Sequence, residues 1–196
     1  MERPFVTGKN YIIRDRVPWF RRRESPHQTP LAMIGVRSGN AVVILGGRDA
    51  PLAAAVAVVT GLNGRTLVVD PDPAVGPRLT TAAAQAGALV DFQHAPVTSV
   101  PLEAGTFDVA VVDVRLAAQG DTDQRATMAQ AFRAVRPLGR IIVIEGAAPA
   151  GLFGRRDPTP ALSAGAVQDL LEQAGGRAVR KLAEVDGVSY FETRRP

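Results

Sequence analysis

Short apolar runs alternate with helical segments along most of this chain, and the alternation ends in two strands joined by Asp186-Gly187. Alternation of this kind builds a parallel sheet with right-handed crossovers and helices on both faces. The Asp-Gly pair is a strong hairpin signal, so the last two strands are antiparallel to each other. The chain is therefore predicted to be an α/β protein. Its doubly wound sheet is parallel except for one late strand. The apolar runs predict strands at residues 41–45, 65–70, 88–92, 107–113 and 140–145.

The segments between these strands have the signals of helices. Pro51 suits the first turn of a helix over residues 51–61, because no N–H is needed there. Further helices are predicted over residues 74–87 and 122–135, and Ser163 is a candidate N-cap for the last one. Helices of this length between short strands fit crossover connections.

The composition excludes several classes of protein. The chain of 196 residues has no cysteine, so it has neither a disulfide framework nor a thiolate nucleophile. Two histidines, His27 and His94, are too few for a histidine-rich metal centre, and no metal site is predicted. No apolar run is long enough to cross a bilayer, and the N-terminus lacks a signal-peptide core. We therefore expect a cytoplasmic protein, and its arginine- and alanine-rich composition suggests a bacterial source.

The positive charge is concentrated at the N-terminus. The whole chain has a net charge of +4, and residues 1–23 hold seven basic residues against two acidic ones. We interpret residues 1–38 as a basic segment that packs on or lids a domain over residues 39–196. The stretch Trp19 to Arg23 offers a contact for nucleic acid or an acidic surface, although a solvated basic face explains the same pattern.

Polar or glycine-rich residues follow the ends of several predicted strands, where doubly wound sheets bind their ligands. Gly46 to Asp49 follow the first strand, Asp70 ends the second and Asp113 ends the fourth. Asp70 lies 24 positions after Gly46. That is close to the spacing of about 20 between a glycine turn and the acid that binds a ribose. The pattern favours a nucleotide-type cofactor held between the first two strands, although Asp70 also suits a simple turn before Pro71.

Five stretches in order carry a family resemblance: VRSGNAVVILGG, TLVVDPDP, VPLEAGTFDVAVVD, AFRAVRPLGRIIVIE and LLEQAGGRAVRKLAEVDGVSYFETRRP. Together they resemble the class I S-adenosylmethionine-dependent methyltransferases, over about residues 30–196. The resemblance implies a seven-stranded Rossmann-like sheet, S-adenosylmethionine as cofactor and transfer of its methyl group to an acceptor. The closing hairpin distinguishes this family from NAD-binding Rossmann proteins.

The resemblance also assigns site residues. Asp70 is implied to bind the ribose, and Arg48 or Asp49 to anchor the carboxylate or amine of the cofactor. No catalytic residue is identified by the resemblance, and the candidates are Asp113 and His27. Arg155 and Arg156 are candidates for holding an anionic acceptor. The implied cofactor-binding residues are Gly46, Gly47, Arg48, Asp49, Asp70, Pro71, Pro96, Val97 and Asp113.

The sequence departs from the family pattern at this same site. Ile44 stands where an acid usually precedes the glycines, and Arg48 and Ala50 replace the second and third glycines. Pro96, or Ala95 if the alignment shifts by one residue, occupies the position of an acid that in the family would hold the adenine. These changes remove backbone freedom and polar contacts. The sequence therefore predicts a methyltransferase-type loop that contacts the cofactor differently from the family pattern.

Three functions remain open at the level of sequence. The first is a methyltransferase for a small molecule, because the chain lacks a large insertion for a macromolecular substrate. The second is a methyltransferase-like binding protein without catalysis, whose basic segment contacts a partner. The third and least favoured is an NAD-dependent oxidoreductase. The oligomeric state and the identity of the acceptor are not encoded in any motif.

Overall fold

The structure, a computed structural model, describes residues 27–146 and 161–196. The helices of this part are α1 (Gln28–Ile34), α2 (Ala50–Thr60), α3 (Val75–Ala86), α4 (Asp121–Ala134) and α5 (Ala164–Gln173), with a 3-10 turn at Leu116–Ala118. The strands are β1 (Ala41–Leu45), β2 (Arg65–Asp70), β3 (Asp91–His94), β4 (Phe107–Val112), β5 (Val135–Gly146), β6 (Arg177–Val185) and β7 (Val188–Arg194).

The strands form one seven-stranded sheet in the order β3-β2-β1-β4-β5-β7-β6. Strands β1 to β5 pair in parallel, whereas β7 runs antiparallel to both β5 and β6. The predicted mixed sheet and the hairpin at Asp186-Gly187 are therefore confirmed. Strand order reverses between β1 and β4, and this is the place where doubly wound sheets bind ligands.

The sheet is buried on both faces, which explains why its strands are continuous apolar runs. Alternate residues of β1 point to opposite sides: Val43 and Leu45 pack in one core layer, and Val42 and Ile44 in the other. Ile44 is only 4% exposed. The position where the family pattern has an acid is thus part of the hydrophobic core in this chain.

Two predicted strands have different bounds in the structure. The third begins at Asp91 rather than at residue 88, because Gly87 adopts a left-handed φ of 65° and the Ala88 N–H still bonds to the end of α3. The fifth begins at Val135, directly after α4, rather than at residue 140. In both cases the helix end was predicted to within one residue, and it is the pairing with the neighbouring strand that sets where the new strand begins.

Helix α1 is attached to the sheet through Arg140. The Nη1 of Arg140 donates to the carbonyl of Ile34 at 2.9 Å, and its Nε contacts the carboxylate of Glu192 at 2.5 Å. Residues 1–26 of the basic segment, including Trp19 to Arg23, lie outside the described residues. The predicted packing of the segment and the boundary at residues 38 and 39 therefore stay predictions. Among the described helices, none has the length and apolar character needed to cross a membrane.

Candidate functional site

The loops that follow the first four strands leave the sheet at one edge. Backbone hydrogen bonds extend the strand pairing into these loops: the N–H of Gly46 donates to Val69 O, and that of Asp113 to Leu45 O, both at 2.8 Å. These bonds fix the start of each loop beside its neighbour. Groups from distant parts of the sequence therefore meet at the point where the strand order reverses.

The glycine turn after β1 is packed tightly against the protein itself. Gly46 has a φ of 99°, and a Cβ there would overlap the carbonyl oxygen of Asp113 and lie 2.7 Å from its carbonyl carbon. A Cβ on Gly47 would overlap a methyl group of Val75. Both glycines are thus required by the close approach of the β1 loop to β4 and α3, whatever ligand is present.

Asp70 lies at the end of β2 beside this turn, as the spacing predicts. Its Oδ2 accepts a hydrogen bond from the Gly47 N–H at 2.6 Å, and its Oδ1 accepts one from the Asp72 N–H at 2.8 Å. The residue is 9% exposed. Each carboxylate oxygen has two lone pairs, so both oxygens keep acceptor capacity for a ligand hydroxyl.

Arg48 spans the ends of three neighbouring strands. Its Nε and Nη2 contact Oδ1 of Asp113 at 3.1 and 3.0 Å, and its Nη1 donates to the carbonyl of Gly146 at 3.3 Å. The guanidinium therefore crosses from the β1 loop over β4 to the end of β5. The sequence predicted Arg48 and Asp113 at the same site but did not predict their ion pair.

Asp113 is a buried carboxylate whose charge is held by Arg48. Burial raises its pKa from 3.8 to about 6, while the adjacent Arg48 guanidinium opposes this increase. At neutral pH the carboxylate is therefore largely ionised and depends on its cationic partner. A group of this kind suits recognition of a second cation.

Asp113 is expected to make folding stability fall as pH rises from about 4 to 6. In that interval the folded protein keeps a proton on Asp113 that the unfolded chain has already released. The shift from 3.8 to about 6 corresponds to about 3 kcal/mol. Urea unfolding of wild type and Asp113→Asn between about pH 3 and about pH 7 should show wild type losing about this much relative to the variant. Parallel stability curves for the two proteins would contradict the assignment.

Asp49 and His27 lie together beside the glycine turn. The Oδ1 of Asp49 accepts from the Leu52 N–H at 2.9 Å and so caps helix α2. Its other oxygen, Oδ2, lies 3.8 Å from Nδ1 of His27, which directly precedes α1. Asp49 therefore has a structural role in addition to its predicted contact with the cofactor. His27 is within reach of the site despite being 22 residues away in sequence.

The loop after β3 adds backbone rather than acidic side chains. The N–H of Ala95 donates to the carbonyl of Asp70 at 3.2 Å, which ties this loop to the end of β2. Pro96 is exposed, whereas the side chain of Val97 is buried in the core. Pro71 is exposed, and its carbonyl lies 2.9 Å from Nε2 of His94. The predicted contacts of these residues with a cofactor stay predictions.

Two buried ionisable residues near this edge were missed by the sequence analysis. Glu145, near the end of β5, accepts from the Leu162 N–H at 3.2 Å through Oε1, and burial raises its pKa. Its Oε2 has no hydrogen-bond partner in the part of the chain that the structure describes. Burial also raises the pKa of Tyr190 on β7, with Asp113 contributing. Glu145 was detectable, because it ends a predicted strand as Asp70 does.

The predicted acceptor-binding residues and possible metal ligands complete the list of site residues. Arg155 and Arg156 lie outside the described residues, so their predicted contact with an acceptor stays a prediction. Within residues 27–146 and 161–196, no group of three or more histidines and acidic residues is placed to hold a metal ion.

Comparisons with known proteins agree with this fold. The family model described as "Methyltransferase domain" matches residues 45–139, just under half of the chain, from the end of β1 into β5. The comparison with curated proteins by sequence returned no match. The family match therefore covers the strand ends that carry the glycine turn, Asp70 and Asp113.

Solved structures extend the similarity over most of the chain. A SAM-dependent methyltransferase from Aquifex aeolicus has a TM-score of 0.71 at 16% identity and covers 87% of this chain and 90% of its own. The second neighbour is a 1,6-didemethyltoxoflavin N1-methyltransferase from Burkholderia thailandensis with S-adenosylhomocysteine bound. It has a TM-score of 0.60 at 20% identity, and the match covers 84% of this chain and 74% of that one. The (4+2)-cyclase SpnF has a TM-score of 0.65 at 15% identity, and the match covers 86% of this chain and 78% of the cyclase.

The chain therefore has the class I S-adenosylmethionine-dependent methyltransferase fold, with the seven-stranded sheet and closing hairpin that the resemblance implied. The matching family model is that of a methyltransferase domain, and the structural neighbours agree with it in fold. The cyclase among the neighbours shows that one fold carries more than one chemistry, so function has to be argued from the site.

Proposed function

We propose that this protein transfers the methyl group of S-adenosylmethionine to a small-molecule acceptor. The observation that carries the proposal is the carboxylate of Asp70, which lies at the end of β2 with the Gly47 N–H at 2.6 Å, in a sheet of the class I order. This is where an acid accepts hydrogen bonds from ribose hydroxyls in doubly wound folds.

The donors and acceptors of the site fit the polar groups of S-adenosylmethionine. Asp70 retains lone pairs for two ribose hydroxyls. Arg48 uses three of its five N–H groups in contacts with described residues, so two remain for an anionic group. Asp113 supplies a negative charge for a cationic group. The ribose and the two charged groups of the amino acid end therefore have candidate partners, whereas Ile44 and Pro96 provide no polar contact.

The bound cofactor supplies an activated methyl group on a sulfonium. The chain's own task is to align the acceptor with it, because methyl transfer needs little acid–base assistance. The ion pair of Asp113 with Arg48 favours its cofactor-binding role over a catalytic one. His27, beside the glycine turn, is the remaining candidate for accepting a proton from the methyl acceptor.

A small acceptor is supported by a neighbour of similar fold. The structure of the Burkholderia thailandensis enzyme contains 1,6-didemethyltoxoflavin, a small molecule, together with S-adenosylhomocysteine. The described residues of the present chain also hold no large insertion that would cover a macromolecular surface. Small nucleophiles are therefore the first acceptors to test.

The second candidate function is a binding protein that has kept the fold without catalysis. One observation favours it: the Arg48–Asp113 ion pair lies across the site, where the family pattern has a flexible glycine. In that case the basic residues of the segment 1–38 would contact a partner. The two functions predict different behaviour toward the cofactor.

Thermal unfolding with S-adenosylmethionine, S-adenosylhomocysteine or NAD separates the candidates, because a ligand that binds the folded state raises its apparent stability. The proposal predicts a rise with the first two ligands and none with NAD. It also predicts release of S-adenosylhomocysteine when methyl-labelled cofactor is incubated with a panel of small amines, phenols and thiols. Binding of the cofactor without transfer to any acceptor class would favour the binding protein, and a response to NAD alone would favour the oxidoreductase.

A further inference from the structure

We propose that Glu145 selects the methyl acceptor, by binding the ammonium group of a small amine through its second carboxylate oxygen. The inference rests on the proposed function and names the class of acceptor that the site takes. It assigns a ligand to a buried acid for which neither the glycine turn nor the cofactor-binding residues account.

Glu145 lies at the carboxyl end of β5, next to the site assigned to the cofactor. The residue after it, Gly146, accepts the hydrogen bond from Nη1 of Arg48 at 3.3 Å. Strand alternation puts the Glu145 side chain on the same face as Val143, which packs with residues of α4 and α5. A molecule that binds Glu145 therefore lies beside the cofactor, over β5, rather than in the place of the cofactor.

The closing hairpin holds the end of β5 in place. Glu145 pairs with Ser189 of β7, and Gly146 pairs with Val188. Gly146 has a φ of 119°, and a Cβ there would overlap the carbonyl oxygen of Gly187. The backbone that carries Glu145 is therefore closely packed on the hairpin, which fixes the direction in which its side chain leaves the sheet.

One of the two carboxylate oxygens of Glu145 lacks a partner. The residue is 3% exposed, and its Oε1 accepts from the Leu162 N–H at 3.2 Å. Its Oε2 is buried and has no hydrogen-bond partner among the described residues. Burial raises the pKa of Glu145, although the Leu162 N–H and the charge of Arg48 act in the opposite direction. A buried acceptor without a donor costs free energy, so this oxygen is available for a donor from outside the chain.

A second buried glutamate, Glu192 on β7, shows what Glu145 lacks. Glu192 is also 3% exposed, but Arg140 contacts one of its oxygens and Arg180 the other, each at 2.5 Å. None of the ion pairs between described residues includes Glu145. An ammonium group supplies both the missing charge and the missing donor. An alcohol supplies only the donor, so the site favours an amine.

Matched amines and alcohols test the proposal, because the two members of each pair differ mainly in charge. Ethylamine, benzylamine and phenethylamine, each with its alcohol, are titrated calorimetrically into protein saturated with S-adenosylhomocysteine. At least one amine is expected to bind wild type about 10-fold or more tightly than its alcohol. Glu145→Gln keeps an oxygen for the Leu162 N–H. It should weaken that amine by about 10- to 100-fold, the value of one charged hydrogen bond, and leave S-adenosylhomocysteine within about threefold.

Two other glutamates provide the controls. Glu172 on α5 is exposed, so Glu172→Gln removes the same charge from the surface and should leave the affinity for the amine unchanged. Glu192→Gln breaks a paired buried acid and should lower the urea midpoint of unfolding. Glu145→Gln should not lower that midpoint, since no ion pair with a described residue is lost.

The outcomes separate this inference from the proposed function. If wild type binds S-adenosylhomocysteine but prefers no amine to its alcohol, the acceptor class is wrong and the methyltransferase stands. Unchanged affinity of Glu145→Gln for the amine would overturn the inference as well. A large loss of stability in Glu145→Gln would assign the residue a structural role instead. If wild type does not bind S-adenosylhomocysteine, the proposed function fails, and the inference fails with it.

Discussion

Replacing Asp70 with alanine is expected to weaken the binding of S-adenosylhomocysteine by at least about 100-fold. Two hydrogen bonds from ribose hydroxyls to a charged acceptor are lost, at about 1.5–3 kcal/mol each. The variant also loses the acceptor that holds the Gly47 and Asp72 N–H groups, so the turn is less well positioned for the ligand. Calorimetric titration of wild type and variant with the same ligand measures the change.

The matched control for this variant is Asp72→Ala. Asp72 lies two residues further on, and its side chain is half exposed and accepts from the Ala74 N–H at 2.9 Å. Its removal should change the affinity by no more than about threefold, since the hydrogen bond that is lost holds only the turn before α3. If Asp70→Ala binds within the same range, Asp70 is not the ribose ligand.

Replacing Gly46 with alanine is expected to destabilise the fold by about 3 kcal/mol or more. The φ of 99° is unfavourable for any side chain, and the new Cβ would overlap the carbonyl oxygen of Asp113. Relief requires β1 and β4 to move apart at their carboxyl ends, where the core is buried on both faces. Urea unfolding measures the loss, and cofactor affinity should fall with it.

Gly39 provides the control that separates backbone strain from crowding. It also has a positive φ, of 84°, but a Cβ there would meet no described atom within 4 Å. Gly39→Ala should therefore cost only the strain of the conformation, about 1 kcal/mol. Equal destabilisation by the two substitutions would show that the close approach of Gly46 to Asp113 is unimportant.

The fold was predictable because its signals are local. Continuous apolar strands, the proline and glycine positions and the Asp186-Gly187 hairpin each depend on a few neighbouring residues. The bounds of β3 and β5 were predicted less well. There the pairing of β3 with β2 and of β5 with β4 decides where each strand begins, and this pairing is not local in sequence.

The site was only partly predictable because its contacts are not local. The placement of Asp70 beside the glycine turn followed from their spacing and is confirmed. The ion pair of Arg48 and Asp113 joins residues 65 positions apart and depends on β1 and β4 being neighbours in the sheet. From the sequence alone, Arg48 was a bulky residue in place of a glycine and a candidate anchor for the cofactor, with no partner identified in the protein.

The structure also changes the interpretation of Gly46 and Gly47. The sequence analysis assigned Gly46 and Gly47 to the cofactor, because glycine permits close backbone approach to a ligand. The structure shows that the protein's own atoms, from Asp113 and Val75, already fill the space that a side chain would need. The presence of glycine at these two positions is therefore explained by packing, and Asp70 and Arg48 are stronger evidence for a ligand.

The central claim is that this altered loop still holds the cofactor of its fold. Calorimetric titration of the wild-type protein with S-adenosylhomocysteine tests it most directly, since this product of methyl transfer binds without turnover. We predict saturable heat with one site per chain, and no saturable heat with NAD under the same conditions. Absence of binding to S-adenosylhomocysteine at concentrations up to about 1 mM, a Kd that corresponds to about −4 kcal/mol, would contradict the account.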